Sequence, residues 1–526
     1  MTAPLSPATR ASALRELAAG ELDVLVIGGG ITGAGIARDA ARRGLATGLV
    51  EAIDFAAGTS SRSSKLIHGG LRYLQQGDVG LVREAASERA VLRRIAPHLT
   101  QPLRMVMPTY RMSTHLKLKA GLFMFERLAP VDREEQHQMC DRHEAIAAEP
   151  LLAPAGLHGA ATFTEYLTDD ARLVLANVLD AHAAGARVAN HARVTGLERG
   201  RATVDDALSG ESLVVRTRVI VNAGGPWVDD LRRRAGAEGG RRLQLTKGVH
   251  LVVPWDRLAV RHSVIMTARD KRSIFVVPRD GTTYIGTTDT FYPTPTLVPE
   301  VTRDDVDYLL EATNRTFAGV HLTSSDITGS WSGLRPLLAE EGKSPSEISR
   351  RDEIMIDDAT GLVTIAGGKL TAYRRMAERI VDLVYERLGR RREPCRTEHD
   401  ALPGGESPVP SLPATLPLTA QSRLGRLYGA TCARLLARDP VAASLPGIPG
   451  MLRAEVEHAI DEEMALTLED VLERRTRVLL FDDRQGLGGV DEVAGIMARR
   501  LGWGGERTAG EIADYRRLAA SLRSFP

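Results

Sequence analysis

The six residues Gly28-Gly29-Gly30-Ile31-Thr32-Gly33 restrict the fold of this 526-residue chain more than any others. They follow residues 22–27 (LDVLVI), a short apolar run rich in β-branched residues that reads as a buried strand. After them AGIARDAARRG carries alanines at helical spacing and stops at Gly44, and ATGLVE reads as a second strand ending at Glu51. Gly28 permits a tight turn, Gly30 lets backbone approach a pyrophosphate, and Gly33 lets helix and strand pack closely. The helix N-terminus presents free N–H groups, and Glu51 is placed for the ribose hydroxyls of an adenosine. The unit predicts dinucleotide binding, with a glycine-rich turn of another α/β fold as the alternative.

Its spacing suits FAD and NAD alike, since both contain ADP. Residues 58–70, GTSSRSSKLIHGG, favour FAD. Small hydroxyl side chains can bind phosphate and ribityl oxygens, and paired glycines allow backbone to lie against a flat ring. The competing reading of this stretch is a flexible polar loop.

A second strand–helix unit is expected further on, with Asp169 or Asp170 capping LVLANVLDAHAA, Gly185 ending it, and VVRTRVIVNAGG (214–225) as another strand. Alternating strands across 246–290 (KGVHLVVP, SIFVVP, TTYIGTTD) suggest an antiparallel sheet. Residues 401–418 are dense in Pro, Gly and Ser and read as a linker; the rest of the chain has helical patterning, with Thr467 and Asp470 placed to begin a helix. The length calls for more than one domain. Lys+Arg 68 against Asp+Glu 67 gives a net charge of +1, so nothing global points to nucleic acid. Three scattered cysteines, Cys140, Cys395 and Cys432, exclude a disulfide framework and a thiolate metal site, and the histidines have no ligand spacing, so no metal is expected. The N-terminus has no signal-peptide pattern and no run is long and apolar enough to span a bilayer, so a cytoplasmic protein, or one lying on the inner face of the cell membrane, is expected.

Taken in order, GGGITGAG, GTSSRSSKLIHGGLRYL, LVLAN, VNAGGPW, KGVHLVVP, IGTTD, SGLRPL and GGKLTAYR resemble the aerobic FAD-dependent glycerol-3-phosphate dehydrogenases. The likeness is detailed over about residues 22–400 and weaker through EVEHAIDEEMALTLEDVLERRTR beyond; VNAGGPW stands where many relatives have VNATGPW. The resemblance implies an α/β fold: a glutathione-reductase-like FAD-binding domain (21–100, 160–235 and 350–390) interrupted by an α+β substrate domain with an antiparallel sheet (101–159 and 236–349). A linker (391–418) and a C-terminal all-α domain (419–526) follow. It implies FAD contacts at Gly28, Gly30, Gly33, Glu51, Thr59, Ser60, Ser61, Ser63, Lys65, His68 and Gly69, then at Val194, Ala223 and Gly224, and finally at Gly367, Gly368, Lys369 and Leu370.

The chemistry so implied is oxidation of sn-glycerol 3-phosphate to dihydroxyacetone phosphate, with electrons passed to membrane quinone. A base must take the hydroxyl proton while the flavin takes the hydride. His250 is the base candidate, with His68 as competitor, and Arg335, Arg350 and Lys369 are the candidate phosphate cations, Arg335 and Lys369 also serving catalysis. The arginines 387, 390, 391, 392 and 396 form a basic cluster that reads either as a solvated charge run or as an attraction to anionic lipid. The alternatives are a glycerol-3-phosphate oxidase using oxygen, an amine or amino-acid oxidase, and a non-catalytic flavin scaffold. The oligomeric state stays open, with a homodimer the candidate.

Overall fold

The computed structural model describes residues 3–68, 79–128, 132–238, 240, 242–339, 342, 352–439 and 441–525. Gly69 and Arg350 lie outside the described residues.

The strand Glu21–Ile27 is buried along all but its first residue, which its run of apolar side chains requires of a strand covered on both faces. It lies at the centre of a parallel sheet, between Ser212–Asn222 on one side and Thr47–Val50 on the other. Arg187–Ala189 and Leu362–Gly367 extend the sheet outward, and Asp352–Ile356 closes it as an antiparallel edge. The helices Ile31–Arg42, Asp170–Ala183 and Tyr373–Leu388 supply the alanine- and valine-rich surface that packs on it. Gly33 shows why the turn needs its last glycine: a Cβ there would sit 1.9 Å from the Gly28 carbonyl oxygen.

The second sheet is largely antiparallel. Leu243–Pro254 pairs with Gly329–Leu338 and Thr282–Gly286, and Ser273–Arg279 and Ser263–Thr267 follow. Gln101–Thr109, Gly159–Leu167 and the short Leu66–Ile67 continue it, with Thr290–Tyr292 and Gln138–Asp141 as further short strands, so the loop after the turn Thr59–Ser61 feeds directly into this sheet.

Beyond the proline-rich stretch the described residues are helical, with Arg453–Glu463, Val490–Leu501 and Gly505–Ser521 the main helices. Asp470–Arg475 forms a wide turn of π-helix, begun where Asp470 N–H donates to Thr467 Oγ1 and Asp470 Oδ2 accepts from the amides of Leu466 and Thr467. This helical region does not stand apart. Leu468, Val471, Leu472, Leu479 and Phe481 share one apolar core with Val252, Val277, Tyr284 and Trp331 of the second sheet.

A buried ionic network fastens the same junction. Asp54 accepts from Arg474 (2.8 Å) and Arg475 (2.6 Å), Arg172 pairs with Glu463 (2.7 Å), and Arg62 pairs with Glu473 (3.0 Å). Arg477 donates to the Ser61 carbonyl at 3.0 Å and approaches Asp169 and Asp170. Buried charges of this kind persist only when paired.

The basic cluster near the linker is mostly neutralised. Arg387 pairs with Asp358, Arg390 with Asp23, Arg392 with Asp382 and Glu386, and Arg396 with Asp400. The sequence could not show this, because Asp23 comes from the first strand and Asp358 from a separate turn.

Candidate active site

A cavity of about 850 Å³ runs along the carboxyl ends of the parallel strands and across to the second sheet. One end is backbone. Gly28, Gly30, Thr32, Val194, Ala223 and Gly224 line it, with Glu51 in the wall. Glu51 accepts hydrogen bonds from the amides of Gly29 (2.7 Å) and Ile53 (2.9 Å). Burial raises its carboxyl above the ordinary range, and those two donors oppose the rise. Ser60 Oγ accepts from Ile31 N–H at 3.0 Å, in the first turn of the helix, and Thr59 Oγ1 donates to the Leu334 carbonyl at 2.6 Å. Ser63 and His68 line the cavity further along, and Gly367, Gly368, Lys369 and Leu370 line the opposite wall.

Three of the expected contacts do not line the cavity. Ser61 and Lys65 are not among the cavity-lining residues. Ser61 is buried in the short turn Thr59–Ser61. Lys65 is fully buried; its Nζ donates to the Ser61 carbonyl (2.7 Å) and to Asp170 Oδ1 (3.0 Å), and it lies 5.1 Å from the Trp331 ring centre. Burial, then the neighbouring Arg477, bring its pKa down to about 7 against the pull of Asp170 and Asp169. A lysine held by the Asp170 carboxylate and the Ser61 carbonyl behind the wall is a strut of the loop. Gly33, likewise outside the lining, acts through packing.

The other end of the cavity is side chain. His250 lies directly opposite Trp331 in the antiparallel register, Gly248 opposite Gly333, and Thr246 opposite Arg335. Opposed residues and residues two apart share a face. His250 and Arg335 therefore rise from one face of the sheet with the pair Gly248–Gly333 between them, a floor without side chains. The space is needed: a Cβ on Gly248 would lie 2.5 Å from an Arg335 nitrogen, and one on Gly286 would lie 2.1 Å from the His250 ring.

His250 stacks on Trp331 (4.7 Å between centres, 10° between planes), and its Nε2 lies 2.8 Å from Ser64 Oγ. Burial, then the charges of Arg335 and Lys65, hold its pKa well below the histidine norm, so the free protein carries it neutral. Arg335 is aimed by Asp289 Oδ1 (3.1 Å), the Thr288 carbonyl (3.3 Å) and Thr287 Oγ1 (3.0 Å). Tyr284 Oη donates to the Ser64 carbonyl (2.9 Å) and Trp331 Nε1 to the Ser63 carbonyl (3.1 Å), which ties the serine loop to the sheet.

Ser64, Trp331, Tyr284 and Asp289 were not legible as site residues, since strand register and the course of two loops bring them to His250 and Arg335. Asp289 and Ser64 left a signal, standing in the IGTTD and GTSSRSSKLIHGG stretches. No group of residues able to hold a metal ion occurs among the described residues.

The donor set fits FAD. The glycine turn with Glu51 suits ADP, and the hydroxyl-rich loop and glycines 367 and 368 border a passage long enough to continue to the second sheet. Comparison with known proteins agrees. Residues 23–374 match the family described as FAD dependent oxidoreductase, and residues 395–508 match the C-terminal domain of alpha-glycerophosphate oxidase. The aerobic glycerol-3-phosphate dehydrogenase of Bacillus subtilis (strain 168) is 41% identical over 508 residues, 91% of each chain, and that of Staphylococcus aureus (strain MRSA252) is 40% identical over a similar span. The crystal structure of glycerol-3-phosphate dehydrogenase from Bacillus halodurans, complexed with FAD, superposes with a TM-score of 0.80 at 34% identity, covering 99% of this chain and 98% of that one. L-alpha-glycerophosphate oxidase from Mycoplasma pneumoniae shares the fold at 19% identity, with a TM-score of 0.57 over 73% of this chain and 99% of its own. With this likeness extending through both the FAD-binding and the C-terminal helical regions, the chain belongs to the family of aerobic FAD-dependent glycerol-3-phosphate dehydrogenases.

Proposed function

We propose that sn-glycerol 3-phosphate binds over the Gly248–Gly333 floor, its phosphate on Arg335 and Lys369 and its C2 hydroxyl beside His250. The observation that carries this reading is the placement of an imidazole and a guanidinium on one face, two glycines apart. Bound FAD supplies a two-electron acceptor for the hydride that leaves C2. The protein's part is to hold the phosphate, exclude water and receive the hydroxyl proton at His250 Nε2, directly or through the Ser64 hydroxyl.

Arg335 gives the base a substrate-dependent strength. In the free enzyme its positive charge is one of the influences keeping His250 unprotonated. A dianion on Arg335 offsets that charge, so the imidazole becomes a better proton acceptor once substrate is in place. Asp289 keeps the guanidinium fork oriented for this task.

The onward acceptor in this reading is a membrane quinone, reached from the inner surface of an anionic membrane. The glycerophosphate oxidase match of residues 395–508 favours oxygen as the second reading. Anaerobic addition of glycerol 3-phosphate to the FAD-loaded protein should bleach the flavin absorption, whereas unchanged absorption rejects the proposal. Stoichiometric peroxide on readmitting air would replace quinone by oxygen.

A further inference from the structure

Two adjacent aspartates begin the helix Asp170–Ala183, although capping needs only one. Asp169 caps it, its Oδ1 accepting from the Arg172 amide at 3.1 Å, and it also pairs with Arg279 at 2.8 Å. Asp170 is left for another task. It is fully buried and is not among the cavity-lining residues, yet its carboxylate grips the serine loop on both sides of Ser64. Its Oδ2 accepts from the Ser63 amide (3.0 Å) and the Ser63 hydroxyl (2.7 Å), and its Oδ1 accepts from Lys65 Nζ (3.0 Å). Ser63 Oγ closes the clasp by accepting from the Lys65 amide at 2.9 Å. The helix N-terminus favours a carboxylate here, and Arg477 of the helical tail approaches it at 3.3 Å.

Inside the clasp Lys65 holds φ of 56°, a left-handed backbone that a lysine keeps only where its surroundings over-determine it. Ser64, between the two gripped residues, lines the cavity. Its carbonyl accepts from Tyr284 Oη at 2.9 Å, and its Oγ lies 2.8 Å from His250 Nε2. The other ring nitrogen, Nδ1, is buried and has no hydrogen-bond partner among the described residues. Nε2 is therefore the nitrogen through which His250 can exchange a proton with the cavity, and Ser64 stands against it.

We propose that Asp170 is a positioning residue of the reaction, acting through Ser64, whose hydroxyl it holds on His250 as the path by which the C2 proton reaches the imidazole. The inference rests on the reading of His250 as base and replaces a direct transfer by a relay. The C2 hydroxyl gives its proton to Ser64 Oγ while Ser64 gives its own to His250 Nε2. The hydrogen on C2 leaves with its electron pair for the bound flavin, the carbonyl forms at C2, and Ser64 ends as it began. A relay works only when both of its hydrogen bonds are aligned at once, and a loop gripped on either side of the hydroxyl supplies that alignment.

The test uses the full-length FAD-loaded protein and follows anaerobic flavin reduction by glycerol 3-phosphate in single turnovers. Ser64→Ala should slow reduction about a hundredfold. Asp170→Asn should slow it about tenfold or more. Both should keep their FAD and reach half-maximal rate at the wild-type substrate concentration. The double variant should be no slower than Ser64→Ala alone, because the group through which Asp170 acts is gone. Penalties that multiply would overturn the proposal. In mixtures of light and heavy water the wild-type rate should follow a bowed line, the mark of two protons in motion, and the Ser64→Ala rate a straight one. A straight wild-type line would also overturn it. Ser63→Ala serves if Asp170→Asn fails to hold FAD: it removes one strand of the clasp, leaves the buried charges matched, and should lose its effect in the Ser64→Ala background. Ser64→Ala at the wild-type rate beside a slow His250→Ala would reject the relay and leave the base. Both variants at the wild-type rate would reject the base as well.

Discussion

At its nucleotide end the cavity is walled by backbone drawn chiefly from one early stretch, Gly28 to Ser60, with Glu51 as the chief polar side chain. At its other end the working parts are side chains from separate elements: Ser64, His250, Asp289, Trp331 and Arg335. The first construction fails when an atom is added, because the ligand needs the space a side chain would fill. The second fails when an atom is removed, and each removal can leave the cofactor in place. Substitutions at the two ends should therefore separate cofactor binding from chemistry.

The largest effect is expected from Gly33→Val, whose Cβ would press into the Gly28 carbonyl and distort the turn itself. Purified protein should contain almost no FAD and should unfold at lower temperature. Gly30→Leu sharpens the point, because a Cβ at Gly30 meets only Ser60 Oγ, at 3.2 Å. That variant should keep its circular dichroism and lose its flavin; full occupancy would mean the pyrophosphate does not pass Gly30.

Next comes His250→Ala, which should keep FAD and slow flavin reduction by about 10²–10⁴-fold in single-turnover measurements. Its pH signature follows from the depressed pKa. The acid limb of kcat/KM, which reports free enzyme, should lie below the ordinary histidine range, and the limb of kcat should move upward as bound phosphate offsets Arg335. An unchanged reduction rate would leave His250 a packing residue and move attention to His68.

Arg335→Ala should cost about ten- to a hundredfold in kcat/KM, the scale of one charge-assisted contact. It should also erase most of the preference for glycerol 3-phosphate over glycerol. Asp289→Asn keeps a hydrogen-bond acceptor on Arg335 and removes the countercharge, so a change of a few-fold in KM with little in kcat is expected. Equal losses in both variants would show that orientation, and not charge, does the binding.

The smallest effect lies outside the cavity. Burial opposes the charge on His458, but Glu463 and Glu462 outweigh it and raise its pKa; Asp470 does the same for His191. A histidine with a raised folded pKa lends stability that is complete below its unfolded pKa and fades as pH climbs through the folded one. The melting temperature should fall across that window, by roughly 1 °C per kcal/mol in a chain this long. His458→Gln should flatten part of the slope without changing FAD content at low pH. A slope identical to wild type would exclude this pair as a contributor.

The nucleotide end was readable because a tight turn, a helix start and an acid at a set distance are local requirements. The serine loop was readable as cofactor-facing only in outline. Which of its residues face the cavity depends on the turn Thr59–Ser61 and on Lys65 adopting φ of 56°, which sends that side chain toward Asp170. Arg335 was found through its motif, but its neighbours were not, because register between Leu243–Pro254 and Gly329–Leu338 is a property of two strands together. The helical tail showed its periodicity plainly. Its arginines gave no hint of their destination, since a buried ion pair and a solvated one look alike in a sequence.

Asp54 has a consequence for how the molecule is made. It sits just past the second strand, Thr47–Val50, and is fully buried, yet its guanidinium partners, Arg474 and Arg475, are synthesised more than four hundred residues later. A carboxylate buried without its partners costs several kcal/mol, so on the ribosome the nucleotide pocket must wait, half-specified, for nearly the whole chain to emerge. Cofactor loading then becomes a late event in the life of each molecule. A nonsense codon or a protease cut before Arg474 should produce a chain that retains every motif residue of the pocket and holds no flavin.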